Sequence, residues 1–151
     1  MKKIVFVCLG NICRSPMAEF VFKKLAAKAG VGNKFFVESR ATSYEEEGNP
    51  VYPPAVAELR KHGISCEGKR AARLEKSDYT AYDLIVCMEE RNIANALRIL
   101  GGDPDKKVVR LLDYTNRKGD IADPYYTGDF ALTYHQIETG CAALLRSLLS
   151  E

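Results

Sequence analysis

A chain of 151 residues that is 46% hydrophobic, 28% charged and +2 in formal charge is composed for one globular domain, residues 1–151, with a core of its own. So small a charge, with no long basic run, leaves no footprint for nucleic acid, and no apolar stretch approaches the length of a membrane span. The five cysteines, at 8, 13, 66, 87 and 141, are odd in number and irregularly spaced, which argues against a disulfide framework and, with no histidine or second close pair beside them, against zinc.

Residues 4–8, IVFVC, are a continuous apolar and β-branched run, the pattern of a central parallel strand covered on both faces. The run stops at Gly10 and Asn11, too early for a signal peptide, so the expected location is the cytoplasm. GNICRS then reads as a tight loop. Ser15 is the natural cap and Pro16 suits the first turn of a helix running to about Ala29. Met17, Phe20, Val21 and Leu25 form its apolar stripe, and Gly30 and Gly32 end it. FFVES at 35–39 is a second strand. Residues 42–54 read as a long exposed loop, with Pro53 and Pro54 opening a helix over VAELRKHG. A one-turn helix near 75–81 precedes a third buried strand, DLIVCM at 83–88. The next helix runs through Leu100 and is closed by Gly101 and Gly102. VVRLL at 108–112 is a fourth strand. Residues 113–129 carry few core anchors and several Gly, Asp and Tyr, the mark of a functional loop. The last helix covers about 130–149, with Leu132, Ile137, Cys141, Leu144, Leu145 and Leu148 on its buried side. His62 and His135 fall within helices, where solvated or structural roles are commonest.

This alternation predicts an α/β fold, Rossmann-like and three-layered, with a parallel sheet between helices. Sites in such folds form beyond the carboxyl ends of the strands. Cys8 ends the first strand and the 113–129 loop follows the fourth, so both emerge on one side.

CLGNICRS, from strand end to helix start, is built for an anion. Backbone amides of a curled loop spanning Leu9 to Ser15, together with a helix N-terminus, converge on phosphate oxygens. Gly10 permits close backbone approach, and Asn11 tolerates a left-handed conformation and bonds within the loop. Arg14 can grip two oxygens in parallel. Cys8 lies at the base of this cradle, where the same field favours its thiolate and Ser15 can donate to the sulfur. The Gly-Lys-Ser/Thr ending of a nucleotide P-loop is absent. Cys13 is either an ordinary buried cysteine or a partner that resolves oxidised Cys8 as a disulfide. A leaving phenolate needs a proton donor, for which Asp123 in IADPYY is chosen, with Tyr125 and Tyr126 offering aromatic faces. The residues alone leave Asp120 and Asp129, and more remotely Asp113, as competitors.

VCLGNICRSPMAE together with DPYY strongly resembles the low-molecular-weight protein tyrosine phosphatases. The likeness runs through ESRATS, GNP at 48–50 and VCMEERN at 86–92. It implies a four-stranded parallel sheet with the phosphate-binding loop after the first strand, no metal or organic cofactor, and a two-step reaction through a cysteinyl-phosphate. In that reaction Cys8 is the nucleophile, Arg14 the phosphate clamp and Asp123 the acid and then the base. Leu9, Gly10, Asn11, Ile12, Cys13, Ser15 and Ser39 bind phosphate or support the loop, and redox protection by Cys13 is the reading its resolving alternative would give. Tyr125 and Tyr126 resemble family tyrosines that line the pocket and can be phosphorylated. The implied partner is a phosphotyrosine-containing protein or peptide, with small aryl phosphates also accepted. A monomer is expected, with weak homodimerisation as the variant, and neither nucleic acid nor membrane as partner.

Four departures stand out. Arg40 puts a bulky charge beside the supporting segment. The family's aromatic wall falls on Glu45, so either Tyr44 next to it takes that role or the wall is partly acidic. Gly68 and Lys69 stand at a Gly-His stretch, so a histidine interaction is expected to be missing. Glu89 stands where Asp is common. Ile12 suits a phenyl ring, where related phosphoarginine phosphatases tend to carry a small hydroxyl residue. A phosphoarginine phosphatase, an arsenate reductase relaying oxidation through Cys66 and Cys87, and a phosphotyrosine-binding module without catalysis are the rival readings.

Overall fold

A computed structural model describes residues 1–151. The first strand, β1 (Lys2–Cys8), takes the middle of a four-stranded sheet of order β2-β1-β3-β4, all parallel, with β2 at Phe35–Ala41, β3 at Leu84–Cys87 and β4 at Val108–Arg110. Strand side chains alternate between faces. Ile4 and Phe6 therefore join a core with Val86, Met88 and the helices α1 (Arg14–Lys28) and α6 (Phe130–Leu149). Val5 and Val7 join a smaller core on the other face with Ile85, Cys87 and Leu74, covered by Ala96 and Leu100 of α4 (Glu90–Leu100). Both faces are thus buried, which is why β1 reads as an unbroken apolar run. Two shorter helices, α2 (Pro53–Lys61) and α3 (Asp78–Ala81), lie in the connections. No helix is long and apolar enough to cross a membrane.

Several expected boundaries move. Helix α1 begins at Arg14 with Cys13 at its N-cap, and no side chain caps it; Ser15 lies inside the helix, its hydroxyl turned to Cys8. The buried arc of α1 is Met17, Ala18, Val21, Phe22 and Ala26, whereas Phe20 and Leu25 are only half-buried. Small Ala18 and Ala26 belong to this buried arc, which counting large residues overlooks. Leu132 is 48% exposed because it precedes Ile137 by five residues, about 140° around the helix; Thr133 and Tyr134 turn inward instead. Strand β4 stops at Arg110, and Leu111–Tyr114 tighten into a 3₁₀ turn.

The stretch 113–129 is also better anchored than its composition suggests. Ile121 is fully buried, its amide bonded to the Met88 carbonyl at 2.9 Å. Pro124–Thr127 form a short helix, α5, stopped by Gly128 in a left-handed conformation (φ 75°). Helix α6 passes so near the 3₁₀ turn that a Cβ on Gly140 would sit 2.6 Å from Leu111 Cγ. That close approach pins the segment leading into α5.

Candidate active site

The loop after β1 is wrapped from outside. The carbonyls of Cys8, Leu9 and Ile12 accept the amides of Thr42 (2.9 Å), Ser43 (3.1 Å) and Tyr52 (2.9 Å). With those carbonyls turned outward, the loop's N–H groups are left to face inward. The amides of Leu9, Gly10, Ile12 and Cys13 make no hydrogen bond within the chain, and the N-terminus of α1 points into the same space. A ring of free amides at a helix start is an anion cradle.

Cys8 Sγ lies at the base of this cradle. It accepts the amides of Asn11 (3.3 Å) and Ser15 (3.4 Å) and lies 3.0 Å from Ser15 Oγ. Asn11 adopts φ 58°, the left-handed region that Asn tolerates. Its side chain ties the loop together: Nδ2 donates to Ser15 Oγ (2.7 Å) and Ser39 Oγ (3.0 Å), and Oδ1 accepts the Ala72 amide (3.1 Å).

Arg14 is almost wholly buried. Its guanidinium pairs with Glu89, donates to the Ile121 carbonyl (2.9 Å) and reaches Asp123 Oδ2 (3.3 Å). Burial works against its charge, but Cys8, Glu89 and Asp123 more than offset this and hold it above the ordinary guanidinium value. Glu89 stands at the N-terminus of α4, its amide donating to Asn92 Oδ1 at 3.1 Å, and its carboxylate is the one that pairs with Arg14. Asp123 caps α5, its Oδ1 accepting the Tyr125 amide at 3.0 Å. Its competitors are occupied elsewhere. Asp120 takes Arg110 and the Glu90 amide, Asp113 pairs with Arg110, and Asp129 caps α6.

These groups enclose a cavity of about 170 Å³. Cys8, Arg14, Leu9, Gly10, Ile12 and Cys13 border it from the loop, Asp123, Tyr125 and Tyr126 from one wall, and Glu45 and Glu46 from the other. Tyr44 is not among the lining residues. It is 67% exposed, with Arg73 over its ring at 4.1 Å and bonded to its hydroxyl at 3.0 Å, so the wall on that side is acidic. Ser39 lies outside the cavity and reaches the loop through Asn11. Arg40 also stays clear of it, folding back onto the Ser39 carbonyl (2.8 Å) and Tyr82 hydroxyl (3.3 Å).

Cys13 borders the cavity with its thiol pushed up by burial first, then by Cys8 and Asp123. Cys87 is fully buried inside β3, and Cys66 lines a different cavity, of about 430 Å³, beyond α2. The pair lies in two separate environments, a poor arrangement for relaying oxidation from Cys8.

Lys69, which stands in place of the histidine of that Gly-His stretch, makes contacts of its own. Its Nζ donates to the Ser39 carbonyl (2.9 Å) and lies 3.7 Å from Glu19 Oε1. Sequence reasoning missed Glu19, Glu46 and Tyr52 altogether. Glu19 carried a readable signal, since it shares a helix face with Ser15 one turn earlier and faces the apolar side.

The model of a family described as low molecular weight phosphotyrosine protein phosphatase matches residues 3–151. The chain is 40% identical to the low molecular weight protein-tyrosine-phosphatase YfkJ of Bacillus subtilis, covering 100% of this chain and 98% of that one. It is 37% identical to the low molecular weight phosphotyrosine protein phosphatase of Gallus gallus, over 96% and 94% of the two chains. The crystal structure of YfkJ superposes with a TM-score of 0.96 at 39% identity, over 99% of this chain and 96% of that one.

Proposed function

Since the chain belongs to the low-molecular-weight phosphotyrosine protein phosphatase family and is a cysteine-dependent phosphotyrosine phosphatase, we propose that Cys8, Arg14 and Asp123 carry its two chemical steps. The Cys8 thiolate attacks phosphorus in line. The bond from phosphorus to the tyrosyl oxygen breaks, and that oxygen takes the Asp123 proton. The Asp123 carboxylate then takes a proton from water as the water attacks the cysteinyl-phosphate, releasing phosphate and the thiolate. Arg14 and the free loop amides hold the three equatorial oxygens through both steps, and Ser15 donates to the sulfur as it leaves. One observation carries this reading: two amides and the Ser15 hydroxyl meet at Cys8 Sγ beneath free amides, with Arg14 and Asp123 bordering the same cavity.

The substrate class is a phosphotyrosine-containing protein or peptide. Ile12 at the cavity edge suits a phenyl ring better than a phosphoarginine chain, and the wall of Glu45 and Glu46 suits a peptide with basic residues beside the phosphotyrosine. Cys13 resolves oxidised Cys8. In the reading offered, residues 1–151 act as a single phosphatase domain, monomeric and cytoplasmic. Rapid-quench mass spectrometry with a phosphotyrosine peptide tests the assignment. Phosphate on Cys8 that forms and decays at the turnover rate is expected; binding without a kinetically competent adduct would overturn it.

A further inference from the structure

Glu19 is 2% exposed, and its carboxylate meets three groups: Lys23 Nζ (2.7 Å), Lys69 Nζ (3.7 Å) and the Ser39 hydroxyl (2.6 Å). A carboxylate has no proton to give, so Ser39 must donate to it. The Ser39 oxygen then accepts from Asn11 Nδ2. Asn11 cannot turn its amide around, because its Oδ1 accepts the Ala72 amide. Its second N–H goes to Ser15 Oγ. The Ser15 oxygen is thereby committed as an acceptor, and its own proton is left for Cys8 Sγ at 3.0 Å, with the Arg40 carbonyl a more distant competitor at 3.4 Å.

Lys69 controls the far end of this chain. Its side chain is only 8% exposed, and it holds Ser39 twice, at the carbonyl directly and at the hydroxyl through Glu19. We propose that Lys69 is a positioning residue of the reaction, a buried cation that locks Ser39 and so aims the Ser15 proton at the Cys8 thiolate. Lys23 does not duplicate it, being 44% exposed and bonded only to Glu19.

The lock carries a pH signature. Lys69 feels Glu19 and Lys23 from α1, and Glu38 and Arg40 from β2; Glu19 in turn faces Lys23, Lys69, Cys66 and Tyr82. Burial pushes the Lys69 ammonium below the ordinary lysine value, with Glu19 partly restoring it. As pH rises, Lys69 therefore loses its proton before an exposed lysine does, and the lock opens on the alkaline side. Arginine stays charged there.

The test compares wild type, Lys69→Gln, Lys69→Arg, Ser15→Ala and the double variant Lys69→Gln/Ser15→Ala, all freshly reduced. Each is followed by the pH dependence of Cys8 alkylation with iodoacetamide and of kcat/KM on an aryl phosphate. Lys69→Gln keeps a donor for the Ser39 carbonyl and removes the charge. It is expected to raise the pH at which Cys8 becomes half-reactive and to lower kcat/KM by about tenfold. Lys69→Arg is expected to restore neutral-pH activity and extend the alkaline limb upward. In the Ser15→Ala background, Lys69→Gln is expected to add less than about twofold, since both act through one hydroxyl.

An equal cost of Lys69→Gln in both backgrounds, or an unmoved pH profile, would overturn the lock. Should Lys69→Gln fail to fold, an alkaline limb left in place by Lys69→Arg would overturn it alone. The inference rests on Cys8 as nucleophile. Wild-type protein that never carries phosphate on Cys8 sinks that reading, whereas normal wild-type turnover with indifferent Lys69 variants sinks only the lock.

Discussion

Arg14 Nη2 and Asp123 Oδ2 lie 3.3 Å apart although 109 positions separate them in the chain. In the proposed reaction the contact joins the phosphate clamp to the acid, which would put the leaving oxygen of an ester held by Arg14 near Asp123. Burial of Arg14 keeps this pairing strong, because little solvent screens it.

The acid role predicts a dependence on leaving group. Asp123→Asn keeps an acceptor for the Tyr125 amide, and so keeps the α5 cap. It removes the proton needed by the departing oxygen. Turnover of phosphotyrosine should fall by about 10²–10⁴, and less for aryl phosphates with acidic phenols. Steady-state rates across a leaving-group series check this; a uniform loss across the series would contradict it.

The acidic wall predicts a charge preference. Glu45 and Glu46 border the same cavity as Tyr125 and Tyr126, and in the proposed function they would meet residues flanking a phosphotyrosine. Glu45→Gln with Glu46→Gln should narrow the difference in kcat/KM between Lys-flanked and Asp-flanked phosphopeptides, by about threefold to tenfold at low salt. Little change is expected with a small aryl phosphate. Competition assays with the two peptides decide it.

Cys13 borders the same cavity as Cys8, with its thiol held protonated by burial and by the neighbouring Cys8 and Asp123. Oxidised Cys8 sulfenic acid can condense with that thiol, forming the disulfide and releasing water. Cys13→Ser should retain turnover and recover less activity when reductant follows a peroxide pulse. Identical recovery in the two proteins rejects the protective role.

Gly140 predicts a stability defect with a structural address. A Cβ there would fall 2.6 Å from Leu111 Cγ, and Leu111 is fully buried. Gly140→Ala should cost about 1–3 kcal/mol in urea unfolding, the range for an overpacked core. The strain falls on the 3₁₀ turn ahead of the Asp123 segment, so kcat should drop as well.

Alkaline pH should weaken the fold from about pH 9 upward. Burial pushes the thiols of Cys87 and Cys141 well above the unfolded value of 9.0. Folded pKa values are therefore raised, and the unfolded chain loses these protons first. Their contribution is intact below pH 9 and is lost as pH rises, by about 1.4 kcal/mol per pH unit for each thiol. Urea midpoints in reductant between pH 8 and pH 10.5 measure the slope, and Cys87→Ala should make it shallower.

Where local chemistry and burial agree, the sequence alone was enough. IVFVC had to be a strand covered on both faces, and the Gly-Asn loop before Arg-Ser-Pro had to turn sharply into a helix. The positions of α2, α4 and α6 followed from proline, glycine and apolar spacing for the same reason. Choosing among Asp113, Asp120, Asp123 and Asp129 was different. All four stand in similar polar sequence, and only the folded chain commits three of them to Arg110, a backbone amide or a helix cap.

Tyr44 shows the same limit. Its aromatic ring suited the substrate wall until Arg73, 29 residues away, drew it aside. Lys69 reads only as a position without its histidine, because a side chain's partner across the fold leaves no trace in its neighbours along the chain. Periodicity and turn chemistry act over a few residues, so they settle elements and loops. Which charged group meets which across 50 or 109 residues is decided by how those elements pack, as with Glu19 and Lys69 or Arg14 and Asp123.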